Sequence, residues 1–201
     1  MIPTAQEVFA EELKLIRRTG VRDFVCNTID RMAPDYFWTC PASTSGKYHP
    51  QISLGEGGLV RHTKLAVWWG VELMRMLDLD ANQYNAVIAA LILHDLKKNG
   101  DKLINGKPTL PNCVNVHGTR LAEEIRVRMF PPGVEIEPVY EMILDGIAYH
   151  MGRWTEPDRG KVTRLSVGWC RTQSNQIVHI ADYCASRKVD AKTKGLQDGS
   201  F

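Results

Sequence analysis

Residues 85–95 read NAVIAALILHD. A helix this apolar has no polar face to give to water, so it has to lie at the centre of a fold with other elements packed around it. It ends in His94 and Asp95. Ionisable groups at the end of a buried segment are costly unless a partner, such as a metal ion, holds them. Whatever surrounds this segment must therefore supply an apolar jacket and a partner for two polar side chains.

The rest of the chain is written mostly for helices. Thr4–Glu7 has capping-box spacing, Phe9, Leu13 and Ile16 recur at helical intervals, and Gly20 is placed to stop that helix. A second helix is expected over 21–32, then a Pro-, Gly- and Ser-containing loop over 33–57. From Gly58 to about Leu77, the residues Leu59, Ala66, Leu73 and Leu77 form an apolar stripe that includes His62. The central helix is expected over Asn82–Asp95. His117, Leu121 and Ile125 share a face over 116–129, and Val139, Ile143, Ile147 and His150 share one over 137–150. A last helix over 174–188 should bury Ile177, Ile180, Ala181 and Cys184, with Asp182 at the edge of the stripe, before a polar tail over 189–201. No internal repeat and no strand pair is read. The expected class is all-α, with one domain over 1–188.

Composition limits the setting. A chain of 201 residues suits one domain, since domains commonly run to about 100–200 residues. At 44% hydrophobic and 24% charged it is not a disordered chain. No apolar run approaches the roughly 18 residues needed to span a bilayer, so no membrane association is expected. The N-terminus lacks a basic start followed by an apolar block. Cys26, Cys40, Cys113, Cys170 and Cys184 contain no CxxC pair, which points to reduced thiols and a cytoplasmic protein. A net charge of +2 is too small for a nucleic-acid coat, so an anionic ligand must be recognised locally.

A lone histidine on an apolar helix face is more often a hydrogen-bonded core residue than a ligand. Here His62, His94 with Asp95, His117, His150 and Asp182 fall on five successive predicted helices. Hydrogen bonds alone satisfy so many buried groups poorly, whereas helix bundles readily build metal sites from facing helices. Imidazole and carboxylate without thiolate suit Mn, Fe, Co or Ni and permit Zn; an all-oxygen Mg or Ca site would lack the histidines. Six ligands exceed what one ion with an open position takes, so two ions are expected.

The ordered set GGLVRHT, LILHDLKK, VHGTRLAEEI, AYHMGRW and IVHIADYCASR resembles the HD-domain superfamily of metal-dependent phosphohydrolases over roughly residues 35–188. Within it, the chain looks most like the HD domain that accompanies an OB-fold in certain bacterial 3′-to-5′ exoribonucleases, although no OB-fold segment is read ahead of it. The resemblance implies an HD-type helical bundle. It also implies a first ion on His62, His94, Asp95 and Asp182, and a second on His117 and His150 with Asp95 bridging. Lys97 departs from the glycine usual after the HD pair, and Met151 stands where relatives often have a second histidine.

The activity so implied is phosphate-ester hydrolysis by metal-activated water, as a phosphodiesterase, nucleotidase or nuclease, with Asp95 and Lys98 in the chemistry. The substrate would be a small phosphate ester, a nucleotide or a short single strand. A solvent-facing lysine at a helix C-terminus fits Lys98 equally. Arg153 and Trp154 could grip a phosphate and stack a base, or simply pack the loop. His49 could reach substrate from the rim, but an exposed loop histidine is the favoured reading. Arg61 is expected to face solvent, His179 to support the core or the ligands, and Trp68 and Trp69 to pack or to support a homo-oligomer. A di-iron oxygenase and a non-catalytic nucleotide-binding module are the competing classes.

Overall fold

The computed structural model describes residues 2–43, 45–47, 49–108, 113–155 and 170–187, without the side chains of Pro108, Cys113, Val114, Asn115 and Arg153. The described part is an all-α bundle of eight helices: α1 (Ala5–Val8), α2 (Ala10–Leu15), α3 (Thr19–Met32), α4 (Gly58–Met74), α5 (Ala81–Leu93), α6 (Cys113–Met129), α7 (Pro138–Tyr149) and α8 (Gln173–Ala185). None of them is long and apolar enough to cross a membrane.

Helix α5 occupies the centre, with every residue from Asn85 to Leu93 buried. It packs against α3, α4, α7 and α8, while α4 pairs with α8 and α6 with α7. Asp80 and Gln83 close a reciprocal capping box at its start. That anchor fixes where the helix begins, and so where His94 and Asp95 emerge at its far end.

The N-terminal helix expected to run unbroken to Gly20 is broken twice. Phe9 leaves helical geometry between α1 and α2, and Ile16 is extended. The second break has a visible cause: Oδ1 of buried Asn85 accepts from the backbone N–H groups of Arg17 and Arg18 at 2.8 and 3.1 Å. These amides are taken by a side chain on α5 rather than by an α-helical ladder, and α3 then starts before Gly20 instead of after it. Two smaller expectations also change. Ile180 is exposed, because α8 turns Ile177, Val178, Ala181 and Ala185 inward. Leu77 lies beyond the end of α4 and is exposed.

A strand pair that the sequence reading passed over is present. Leu103–Ile104 and Lys107–Pro108 pair antiparallel around Asn105 and Gly106, both at positive φ. Asn-Gly is the dipeptide that a tight hairpin of this kind favours.

The loop before α4 is held rather than loose. Gly57 N–H donates to Thr39 O, Leu59 N–H to Cys40 O, and Ala42 N–H to Ser53 O. Arg61, expected to face solvent, instead donates to the carbonyls of Ile52, Leu54 and Glu56 at 2.6–2.8 Å. Tyr36 Oη donates to Gly100 O at 2.6 Å and accepts from Asn99 N–H at 3.0 Å, which ties this loop to the turn after Asp95. Cys26, Cys40, Cys170 and Cys184 are free thiols. Trp68 is exposed, its ring edge-on to that of Trp69, which packs against the core.

Candidate metal centre

Five helices deliver the six candidate ligands to one place. His62 comes from α4, His94 and Asp95 from the C-terminal end of α5, His117 from α6, His150 from the end of α7, and Asp182 from α8. His94 and His150 are C-cap residues. Their Nδ1 atoms lie 2.7 Å from Leu91 O and Ile147 O respectively. A carbonyl can only accept, so each Nδ1 carries a proton, and each Nε2 is the ring atom that faces the centre. This is how metal-ligating imidazoles are usually oriented.

The donor atoms fall into two groups, His62, His94 and Asp182 in one and Asp95, His117 and His150 in the other, each compact enough to hold a metal ion. Asp95 joins them. Its Oδ1 lies 2.9 Å from His117 Nε2 and 3.7 Å from His150 Nε2, while its Oδ2 lies 3.5 Å from His62 Nε2 and 3.6 Å from His94 Nε2. Within the groups, His117 and His150 approach at 2.9 Å, and Asp182 Oδ1 stands 3.0 Å from His62 Nε2 and 3.5 Å from His94 Nε2. Two ligands at about 2.1 Å from one ion, subtending an octahedral or tetrahedral angle, are about 3.0–3.4 Å apart. The observed separations run from 2.9 to 3.7 Å and so straddle that range.

Hydrogen bonding accounts for only part of the arrangement. His94 Nε2 is buried with no hydrogen-bond partner, since its carboxylate neighbours stand at 3.5 and 3.6 Å. A buried imidazole nitrogen aimed at two carboxylates without bonding either is the kind of orphan an ion resolves.

The charges agree. Burial pushes the Asp95 carboxyl up, but Lys98, His94 and His117 together hold it well below the usual carboxylate range. Asp182 is likewise raised by burial and lowered further by its bond to His62 and by the nearby His94, ending well below that range. For His94, burial lowers the pKa, yet Asp95 and Asp182 prevail and it ends raised. His150 is pushed down to about 3 by burial and by the neighbouring His117 and His94, so its ring is neutral at ordinary pH. The centre thus sets the Asp95 and Asp182 carboxylates against the Lys98 ammonium and the His94 imidazole, whose proton an incoming cation would replace.

Around the ligands, several sequence expectations change. Lys98 is not solvent-facing: its Nζ lies 2.6 Å from Asp95 Oδ2. Lys97, where the resembling family has glycine, is buried and paired with Asp101 at 2.7 Å and Glu124 at 2.6 Å, linking the turn after α5 to α6. His49 is not an exposed loop residue. Its ring sits edge-on to His62 with centroids 5.4 Å apart, its Nε2 is buried without a partner, and burial followed by Lys98 depresses its pKa to about 4.

Trp154 lies in the turn after α7 and is partly exposed, while the side chain of Arg153 lies outside the described residues. His179 supports a ligand, its Nδ1 donating to His150 O at 2.7 Å. Tyr183, beside Trp154, was not singled out from the sequence; its position one residue after Asp182 is the only signal that could have flagged it.

Comparison with protein-family models, with curated proteins and with solved structures gave no match to this chain.

Proposed function

We propose that the chain is a metal-dependent phosphohydrolase of the HD type, acting on a phosphate ester, with nucleotides and nucleic-acid ends as the substrate class. The observation that supports this reading is the Asp95 carboxylate, whose two oxygens face two separate ligand groups at distances that suit coordination. In this reading His62, His94, Asp182 and Asp95 hold one ion, and His117, His150 and Asp95 a second, drawn from Mn, Fe, Co, Ni or Zn. Ions so held supply the Lewis acidity that polarises a phosphoryl oxygen and lowers the pKa of water. Lys98 sets a fixed positive charge against the Asp95 end of the site, where charge develops on the phosphoryl oxygens. His49 lines the same side with a neutral ring.

The test is hydrolysis of a bis-aryl phosphate by protein loaded with Mn²⁺, Co²⁺ or Ni²⁺. Wild type should turn over, a chelator should abolish the activity, and Asp95→Asn, which keeps the shape but removes the bridging charge, should lose most of it. Equal rates in wild type and Asp95→Asn would assign the activity to a contaminant. A fully loaded protein inert toward mono- and diesters, cyclic nucleotides and short single-stranded RNA would overturn the reading; bound iron with a mixed-valent paramagnetic signal would then favour oxygen chemistry.

A further inference from the structure

The six candidate ligands are not equally enclosed. The side chain of Asp182 is 17% exposed, against 0–3% for the other five, so the centre opens beside α8. On α8 and on the turn after α7, two large aromatic rings are partly exposed. Trp154 is 37% exposed and Tyr183 42%. Their planes differ by 12°, with centroids 6.5 Å apart, so both present their faces in nearly the same direction. The Arg187 guanidinium carbon lies 4.0 Å from the centre of the Tyr183 ring. A single exposed aromatic needs no explanation, whereas a near-parallel pair offers a flat surface on which a planar ligand can stack.

The pair is built into the centre. Tyr183 follows Asp182 directly and stands one helical turn from His179, whose ring lies 6.3 Å from that of Tyr183 and 6.4 Å from that of Trp154. His179 in turn donates to the carbonyl of His150. Trp154 sits in a short turn closed by buried Thr155, whose hydroxyl donates to Gly152 O at 2.6 Å. That turn docks on α8 only because Gly152 is a glycine: its φ is +59°, and a Cβ there would lie 2.8 Å from both ring nitrogens of His179. One connected set of contacts therefore fixes both the aromatic faces and the backbone of a candidate ligand.

We infer that Trp154 and Tyr183 form a stacking platform for the planar base of a nucleoside phosphate whose phosphate lies at the metal centre. The inference rests on the phosphohydrolase reading and narrows its substrate class. A nucleotide joins phosphate and base through a single sugar, and the platform begins one residue from Asp182 along α8. Every base has a π-face, so such a surface selects for a base without choosing among bases. Arg187 lies over one face of the Tyr183 ring and brings positive charge beside the platform, which favours an anionic ligand.

The test compares adenosine 5′-monophosphate with ribose 5-phosphate, which carries the same phosphomonoester without a base. Both are measured by equilibrium binding to the Mn²⁺-loaded protein and by KM wherever turnover occurs. Wild type should bind the nucleotide about tenfold or more tighter, the effect expected of one base–aromatic stack. Tyr183→Leu and Trp154→Leu should each shrink that ratio toward one while metal content and ribose 5-phosphate binding stay unchanged, and Tyr183→Phe should restore it.

A tetraadenylate that binds much tighter than the mononucleotide identifies a strand end as the natural source of the base; equal affinity identifies a free nucleotide. Equal binding of nucleotide and ribose phosphate by wild type overturns the platform and needs no variant to fold. If both are hydrolysed equally, the platform fails and the hydrolase reading stands. If the nucleotide preference exists and Tyr183→Leu erases it without any hydrolysis, the platform stands and the hydrolase reading falls.

Discussion

Lys98 Nζ lies 2.6 Å from Asp95 Oδ2, one helical turn along the chain. The same oxygen faces His62 and His94, so the lysine and the first ligand group share it. Burial lowers the Lys98 pKa, but Asp95 and Asp182 raise it by more, and the ammonium stays charged. Removing it leaves the centre more negative, which does not weaken cation binding. Lys98→Ala should therefore retain its metal while turnover on phosphate esters drops by about 10²-fold, as when one preorganised donor to developing charge is lost. Metal analysis alongside kcat checks this; a variant that loses its metal but keeps the rate per bound ion would make Lys98 a positioning residue for Asp95.

Gly118 offers a test of the second ligand group alone. A Cβ at this position would stand 2.6 Å from Ile147 O and 2.9 Å from Cε1 and Nδ1 of His150. Backbone lies on one side and a candidate ligand on the other, so α6 and α7 must part. Alanine gains about 1 kcal/mol of helix propensity over glycine. Overpacking of this kind costs about 1–3 kcal/mol, so the net effect should be destabilising. Under saturating Mn²⁺, Gly118→Ala should bind one ion where wild type binds two, with a lower melting temperature. Two ions and an unchanged melt would show that the helices can shift without disturbing the pairing of His117 and His150.

The buried His/Asp cluster was legible in the sequence because His62, His94, His117, His150 and Asp182 fall on or beside apolar helix stripes, and burial of those stripes brings the polar groups along. What the sequence hid depends on distant partners. Asn85 breaks the N-terminal helix across nearly seventy positions, and nothing near Ile16 announces it. His49 reads as a solvent residue because a loop has no periodicity, and Arg61 because it precedes inward-facing His62 on a helix; only the folded loop shows the carbonyls that hold Arg61 and the imidazole that meets His49. Lys98 had two readings on one helix end, and its contact with Asp95 separates them. Asn105-Gly106 carried its own turn signal, but two-residue strands are too short to show alternation.

Asn85 should be a stability determinant despite its distance from the candidate ligands. It is 2% exposed, and its side-chain oxygen accepts from two backbone amides. Asn85→Leu keeps a similar volume but leaves both part-buried amides without their acceptor, a loss of about 1 kcal/mol. Chemical denaturation should show that loss with metal stoichiometry unchanged. A variant as stable as wild type would mean that the Arg17–Arg18 segment finds another acceptor.

Acid should destabilise the metal-free protein in a window set by His150. Its folded pKa is about 3, lowered first by burial and then by His117 and His94, while an unfolded histidine titrates near about 6.5. Between those values the unfolded chain binds the extra proton and the folded chain does not, so stability falls as pH drops through this range. His49, lowered to about 4, acts with the same sign. His94 acts oppositely: its raised pKa gives stability that is complete below the unfolded value and is lost as pH rises through the folded one. Asp95 and Asp182, being depressed, lose their contribution only below the unfolded carboxylate value of about 3.9. In chelator-treated protein, the melting temperature should fall from pH 6.5 to 4.5, and His150→Asn should flatten the slope, with His49→Asn removing part of what remains. Metal uptake must strip the proton from His94, because only a neutral imidazole ligates, so metal affinity should rise with pH and binding should release protons to the buffer. An unchanged slope in His150→Asn would mean that His150 does not carry the pH dependence, and metal binding without proton release near neutral pH would mean that His94 does not face the ion.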